Sequence, residues 1–149
     1  MTDKFVMLVA EDDQSDLELL NHALSRDIVE VDLQVTRDGD ELVSYLRGEG
    51  NFRDRRKHPI PDLILLDLKM PRLGGMDVLR WLREHPRCAR IPTIVLSGSN
   101  LEADVGGAYG LGANTYFSKP NSLRELRELL RLVLGYWARS ERPPKDGSC

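Results

Sequence analysis

Two stretches of the sequence decide the fold: FVMLVAEDD, residues 5–13, and DLILLDLKMP, residues 62–71. Each stretch is a nearly continuous apolar run that leads into carboxylates. Strands buried on both faces have this pattern, which is typical of a parallel sheet covered by helices. The two stretches therefore predict two buried parallel strands with acidic side chains at their carboxyl ends.

Shorter apolar runs alternate with helical patterns along the rest of the chain. The predicted strands cover residues 5–10, 31–36, 62–68, 93–97 and 115–117. Helix-start signals lie between them, in capping-box form or at a glycine: Ser15-x-x-Glu18, Asp38-x-x-Glu41, Gly75, Ser99-x-x-Glu102 and Ser122-x-x-Glu125. Five strands that alternate with five helices predict a doubly wound α/β sheet with right-handed crossovers.

Length and composition indicate one domain. The chain has 149 residues, and its 21 basic and 24 acidic residues give a net charge of −3, which does not indicate direct DNA binding. We expect a domain over residues 1–140 and a flexible, Pro-rich tail over 141–149. No apolar run is long enough for a membrane span or a signal peptide, and Cys88 and Cys149 are far apart, so we expect a cytoplasmic protein without a disulfide or a zinc site.

Polar residues follow four of the predicted strands. Glu11 and Asp12 follow the first strand, Asp67 ends the third, Ser97 ends the fourth and Lys119 follows the fifth. Ligands of open parallel sheets bind outside this carboxyl edge. Each residue has another explanation, since acids cap helices, hydroxyls close strand ends and lysines face solvent. Asp67 is different, because a charge inside a buried strand must reach water, a metal or a cation.

The grouping of these residues predicts a cation site and a nucleophile. Crowded carboxylates repel one another unless a cation neutralises them. Hard oxygen ligands with open positions suit Mg²⁺, or Mn²⁺ in its place, and the metal also accepts phosphate oxygens. A carboxylate beside the metal could then attack a phosphoryl group, with Lys119 and Ser97 on its other oxygens.

These residues, with PTIVLSGS at 92–99 and YFSKP at 116–120, resemble the receiver domain of two-component response regulators over residues 4–135. The resemblance implies a flavodoxin-like (βα)5 fold with strand order 2-1-3-4-5. It implies that the chain is a phosphorylated switch and not an enzyme acting on a diffusible substrate. It also implies that the peptide bond before Pro120 is cis.

The resemblance assigns a role to each site residue. Asp67 is the implied phosphoacceptor. Asp12 is the implied direct metal ligand, with Glu11 acting through water and the carbonyl of Lys69 completing the protein ligands. Ser97 is the implied switch hydroxyl, Lys119 the lysine that pairs with phosphate and Tyr116 the aromatic switch residue.

The long segment 48–61 and the lack of an output domain narrow the resemblance. They are similar to the small regulators that pair with bacterial and cyanobacterial phytochrome kinases. A sensor histidine kinase, in this narrower interpretation a bacteriophytochrome, is therefore the implied partner. Gly106-Gly107 departs from the family, where the fourth helix usually has larger residues, and we expect that helix to be short and mobile.

Four alternatives remain. The chain could relay phosphate to a histidine phosphotransfer protein. A phosphatase of the haloacid dehalogenase type would need a second aspartate where Lys69 stands. A flavodoxin-like cofactor carrier would need a phosphate loop where the chain has three acids. A receiver that serves only as a scaffold would tend to lack one of the acidic or lysine positions.

The last helix predicts a homodimer. On a helical wheel of residues 122–139, one apolar face is wide enough to cover the sheet: Leu123, Leu126, Leu130, Val133, Leu134 and Trp137. Leu129, Leu132 and Tyr136 form a second stripe that a monomer would leave in water. We expect this stripe to lie in an interface made by the fourth helix, the fifth strand and the fifth helix, unless the tail folds back over it.

Overall fold

The structure is a computed structural model that describes residues 4–24, 29–145 and 149. Its five parallel strands form one sheet in the order β2-β1-β3-β4-β5, which confirms the predicted fold class. The strands are β1 (Phe5–Ala10), β2 (Val31–Thr36), β3 (Leu63–Leu66), β4 (Thr93–Ser97) and β5 (Thr115–Ser118).

Helices cover both faces of the sheet. The main ones are α1 (Gln14–Ala23), α2 (Gly39–Arg47), α3 (Gly75–Glu84), α4 (Glu102–Gly110) and α5 (Leu123–Arg139). A 3-10 turn at Gly50–Phe52 and a four-residue helix at Pro86–Ala89 lie in the connections. None of the helices among the described residues has both the length and the apolar character to cross a membrane.

The alternation of side chains along the central strands divides the core into two layers. Met7 and Val9 of β1 pack on one face with α1 and α5, while Leu8 packs on the other with α2 and α3. Leu65 and Leu66 of β3 divide in the same way. All six residues of β1 and all four of β3 are buried, as the continuous apolar runs predict.

Helix caps agree with the sequence signals at two of the helix starts. Asp38 accepts a hydrogen bond from the backbone N–H of Glu41, and Ser122 accepts one from that of Glu125. The predicted start of α1 at Ser15 is wrong. Asp13 is the N-cap and accepts from the N–H of Asp16 at 3.1 Å, so the cap lies two residues earlier than Ser15 and α1 begins at Gln14.

Hydrogen bonds join the long segment 48–61 to α2. The Arg55 guanidinium donates to the backbone carbonyls of Tyr45 and Leu46, each at 2.7 Å, and so satisfies acceptors at the end of that helix. The Tyr45 hydroxyl donates to the Pro59 carbonyl at 2.8 Å, and Phe52 packs against the core. Much of the segment therefore lies folded against the domain.

The end of the chain contacts the domain at the amino-terminal edge of the sheet. Cys149 is joined to Cys88 by a disulfide, so the expectation of unpaired cysteines is wrong in this structure. The guanidinium of Arg142 lies over the ring of Phe5, 5.0 Å from its centroid. These contacts lie away from Leu132 and Tyr136, which stay exposed, so the described part of the tail does not cover the second stripe of α5.

A buried carboxylate at this edge explains the position of the tail. Asp62 precedes β3, its side chain has no exposed surface, and one of its oxygens accepts from the N–H of Val6 at 2.8 Å. The Lys145 ammonium lies 2.9 Å from the other oxygen, Oδ1, in an ion pair whose angles do not meet those of a hydrogen bond. The Arg142 guanidinium lies 3.5 Å from Oδ2, the oxygen that also accepts from Val6. A buried charge requires such compensation, which the two tail residues provide.

Removing the two tail cations should destabilise the domain. We expect Arg142→Gln with Lys145→Gln to lower the free energy of unfolding by about 1–2 kcal/mol. This loss is smaller than that for breaking a fully buried ion pair, because both cations are partly exposed to water. Urea denaturation measures the change. With Asp62→Asn, which keeps an acceptor for Val6, the same pair of substitutions should cost less than half as much. An equal cost in both backgrounds would show that the tail acts through other contacts.

Candidate functional site

Parallel pairing of β1 and β3 brings the two buried acids together. Ala10 pairs with Leu66, so the next residues, Glu11 and Asp67, lie side by side where the strands end. The N–H of Asp67 donates to the Ala10 carbonyl at 3.1 Å, which continues the ladder to this position. Both acids are only 7 % exposed. The predicted convergence of these carboxylates at the carboxyl edge is what the geometry shows.

Lys119 supplies the positive charge between them. It follows β5, and its backbone N–H donates to the Ser97 carbonyl at 2.8 Å, which fixes its position beside β4. Its ammonium donates to Glu11 Oε1 at 2.8 Å and to Asp67 Oδ2 at 3.1 Å. The side chain therefore reaches past β4 to the ends of β1 and β3.

Asp16 is a third carboxylate on the same ammonium, and it is absent from the set of residues that the strand ends predict for the site. Its Oδ2 lies 2.7 Å from Lys119 Nζ. The signal was present as Asp13-x-x-Asp16, a helix start that places Asp16 in the first turn of α1 beside the strand ends.

Burial and charge act in opposite directions on this cluster. Burial raises the pKa of Glu11 to about 7, against the hydrogen bond from Lys119, and the charge of Asp67 adds to the rise. Burial lowers the pKa of Lys119, but the hydrogen bonds to Asp16 and Glu11 and the charge of Asp67 outweigh it and raise that pKa above its usual value. The ammonium is therefore firmly charged, whereas one of its carboxylate partners is costly to ionise.

The acids also fit a divalent cation. Ligand oxygens of Glu11, Asp12 and Asp67 all lie within 4.8 Å of one another. Asp12 is exposed and lines an open cleft together with Lys69 and both buried acids. Three carboxylate oxygens with open positions toward water are the donor set that Mg²⁺ and Mn²⁺ take. Glu11 Oε2 already accepts from the N–H of Asp13, which orients this carboxylate.

The connection from β3 to α3 is held close to the site. The N–H of Lys69 donates to Asp67 Oδ1 at 3.2 Å, and the N–H of Gly75 donates to the Leu68 carbonyl at 3.0 Å. A Cβ at Gly75 would lie 2.5 Å from the carbonyl oxygen of Asp67, a distance that real Cβ atoms do not adopt. A side chain at position 75 would therefore displace the backbone of Asp67.

Ser97 and Tyr116 lie next to this cluster and not within it. The Ser97 side chain is fully buried, and its hydroxyl accepts from the N–H of Ser99 at 3.3 Å. The Tyr116 hydroxyl donates to the Ser99 carbonyl at 2.7 Å, and its N–H donates to the hydroxyl of Tyr109. The loop after β4 therefore links the two residues. The described residues contain no cis peptide bond, so the expectation for Pro120 is wrong.

The arrangement places a buried carboxylate, a group of acids that fits a divalent cation and an ammonium group at one open edge. Asp67 can be reached from the cleft, and Lys119 can neutralise charge on a group that becomes attached to it. Such a set suits transfer of a phosphoryl group, where positioning and charge neutralisation do most of the work.

Comparison with known proteins agrees with this chemistry. The family model of the response regulator receiver domain matches residues 7–131. Rcp1 of Synechocystis sp. is 33% identical over 132 residues, which cover 89% of this chain and 88% of Rcp1. The crystal structure of its Mn²⁺-bound form has a TM-score of 0.82 at 32% identity and covers 95% of this chain and 99% of that one.

Two further crystal structures are similar over nearly the whole chain. The phosphorylated cyanobacterial phytochrome response regulator RcpA has a TM-score of 0.86 at 33% identity, covering 95% of this chain and 100% of that one. The response regulator RPA3017, in red light signalling of R. palustris, has a TM-score of 0.88 at 33% identity, covering 94% and 99%.

Removing the ammonium should change both stability and cation binding. Without metal, we expect Lys119→Met to lower the free energy of unfolding by about 2 kcal/mol, because Glu11 and Asp67 lose their shared partner. Mg²⁺ should bind more tightly, since it no longer competes with the lysine, and should restore more stability than in the wild type. Thermal unfolding in EDTA and in Mg²⁺ measures both effects.

The matched control for this test is Lys69→Met, which removes the same charge from the same cleft and leaves the Lys69 backbone in place. It should change the Mg²⁺ effect far less. If Mg²⁺ stabilises Lys119→Met no more than the wild type, the lysine does not compete with the cation.

Proposed function

The chain belongs to the response regulator receiver domain family, a family of signalling switches, and on that premise we propose that it is switched by phosphorylation of Asp67 by a sensor histidine kinase. One observation carries the proposal: Asp67 lies buried at the end of β3, with its Oδ2 3.1 Å from the ammonium of Lys119. No diffusible substrate is turned over, so the protein is a switch and not an enzyme in the usual sense.

The proposed reaction exchanges one bond to phosphorus for another. A carboxylate oxygen of Asp67 attacks the phosphorus of a phosphohistidine on the kinase. The P–N bond breaks, and the imidazole nitrogen leaves with the electron pair. Lys119 then donates to an oxygen of the transferred group and offsets its charge. Hydrolysis by water later returns the Asp67 carboxylate and releases inorganic phosphate, which resets the switch.

We propose Glu11, Asp12, Asp67 and the carbonyl of Lys69 as the residues that hold the divalent cation. The mutual proximity of the three carboxylates supports this assignment. When bound, Mg²⁺ neutralises negative charge on the transferring phosphoryl oxygens. Ionisation of Glu11, which burial opposes, is favoured by a cation at this place.

We propose that Ser97 and Tyr116 transmit the phosphorylated state. A phosphoryl oxygen near Asp67 attracts the Ser97 hydroxyl, which would then leave the N–H of Ser99. The Ser99 carbonyl also accepts a hydrogen bond from the Tyr116 hydroxyl. A shift of the loop that contains Ser99 therefore moves the Tyr116 ring on β5. Such a change biases an equilibrium between two arrangements that already exist.

The relatives support a bacteriophytochrome as the kinase partner. RcpA is described as a phytochrome response regulator, and RPA3017 as acting in red light signalling. Both cover nearly all of this chain. We propose that the protein acts in the cytoplasm, where such kinases transfer phosphate, and that it signals by protein contacts and not by binding DNA.

We also propose a homodimer through α4, β5 and α5. Leu132 is 73% exposed and Tyr136 is 68% exposed, as the second stripe predicts, while Leu129 packs partly into the core. An open groove between β5 and α5 adjoins both exposed side chains and is lined also by Phe117 and Trp137. A self-complementary contact at this place would cover apolar surface that the single chain leaves in water.

Phosphorylation should require Asp67 and a divalent cation. We expect a small phosphodonor in Mg²⁺ to label the wild type and not Asp67→Asn, which keeps the side-chain shape but loses the nucleophile. Intact-protein mass spectrometry detects the added group. Asp12→Ala should bind Mg²⁺ at least tenfold more weakly, because one carboxylate ligand is gone. Equal labelling of the wild type and Asp67→Asn would refute the assignment.

Acidic substitutions in the exposed stripe should abolish the dimer. We expect the wild type to sediment as a dimer at tens of micromolar and Leu132→Glu with Tyr136→Glu as a monomer, because charges cannot be buried unpaired in an interface. Arg124→Glu produces the same change in net charge on an exposed position of α5 outside the stripe and should remain dimeric. A monomeric wild type would rule the interface out.

A further inference from the structure

The three carboxylates on Lys119 differ in what a bound cation does to them. Glu11 and Asp67 belong to the group of acids that can hold a divalent ion, and Asp16 does not. A cation in that group draws on two of the carboxylates that now accept from the lysine, Glu11 and Asp67. Asp16 keeps its contact, because its carboxylate lies on α1 and accepts from Lys119 at 2.7 Å. In the cation-bound state, the lysine therefore keeps one strong carboxylate partner.

We propose that Asp16 is a positioning residue that holds Lys119 in the unphosphorylated protein and competes with the phosphoryl group for it. This inference rests on the proposed phosphorylation of Asp67. An ammonium group has three N–H donors, and here each is directed to one carboxylate: Glu11, Asp16 and Asp67. Without a cation, a phosphoryl oxygen can gain a hydrogen bond from Lys119 only by displacing one of these carboxylates. With a cation on Glu11 and Asp67, Asp16 is the carboxylate that still holds the ammonium and offsets its charge.

The surroundings strengthen this competition. Behind the ammonium lies a cavity of about 60 Å³, lined by Glu11, Asp16, Asp67 and Lys119 together with apolar side chains that include Leu19, Leu96 and Leu126. Low polarity on this side strengthens each charged hydrogen bond and leaves the lysine few other partners. The Asp16 side chain is 39% exposed, so its carboxylate can turn to water when the lysine leaves it.

An acid in the first turn of a helix has a simpler role, since it is favoured by the helix dipole. Dipole stabilisation needs no contact with a distant lysine. The 2.7 Å ion pair joins α1 to the residue after β5, across 103 positions of sequence. Asp13, at the start of the same helix, has a different function, because its side chain caps the N–H of Asp16. The two acids can therefore be separated by experiment.

The test is the affinity for beryllofluoride, a phosphoryl mimic, at saturating Mg²⁺, measured by fluorine NMR. We expect Asp16→Asn to bind it about five- to tenfold more tightly than the wild type, the order expected for one charge-assisted hydrogen bond in a partly exposed site. Asp16→Glu, which keeps the carboxylate, should restore affinity toward the wild-type value. Asp13→Asn retains a capping side chain and removes a charge from the same cleft, and should change the affinity less than about twofold.

A second background shows whether Asp16 acts through the lysine. In Lys119→Met, adding Asp16→Asn should change the affinity less than about twofold, since no ammonium is left to compete for. Equal tightening in both backgrounds would show simple charge repulsion by Asp16 and overturn the proposal. Unchanged or weaker binding by Asp16→Asn would also overturn it. Failure of the wild type to bind the mimic would refute the proposed function, and this inference with it.

Discussion

Carboxylates that are brought out of water at the ends of adjacent parallel strands repel one another, and this fold must supply a positive charge for them. The register of β1 and β3 places Glu11 beside Asp67, so neither side chain can move away without disturbing a buried strand. Lys119 provides the charge in the structure described here. The same arrangement of acids also fits a divalent cation, which would offset the same negative charge.

At the opposite edge of the sheet a buried carboxylate also has cations as partners, but they come from the end of the chain. Asp62 precedes β3 just as Asp67 follows it, and its carboxylate is even less exposed. Its cations are Arg142 and Lys145. Asp62 and Lys145 line a small cleft together with two prolines of the tail. Asp62 therefore ties the start of β3 to the tail, whereas Asp67 at the carboxyl edge lines an open cleft that a ligand can enter.

Backbone contacts connect the carboxyl edge to the surface where a partner would bind. The Lys119 N–H donates to the Ser97 carbonyl, and the loop that follows Ser97 receives the hydroxyl of Tyr116. Tyr116 lies in β5, which borders the apolar groove against α5. Hydrogen bonds and a short stretch of backbone therefore connect Asp67, through Lys119 and the loop after Ser97, to the strand that borders this groove.

The sequence by itself determined the elements and the chemical class of the site, because apolar runs bounded by charges allow few alternatives in a parallel sheet. The alternation of strands and helices predicted the order of elements, and strand ends predicted where Glu11, Asp67 and Lys119 would meet. Only the tertiary structure decided that Asp16 shares the lysine, that Cys149 reaches Cys88 and that Asp62 is paired with the tail. Those contacts join residues from 61 to 103 positions apart, and local patterns carry no information about which distant side chain will neutralise a buried charge.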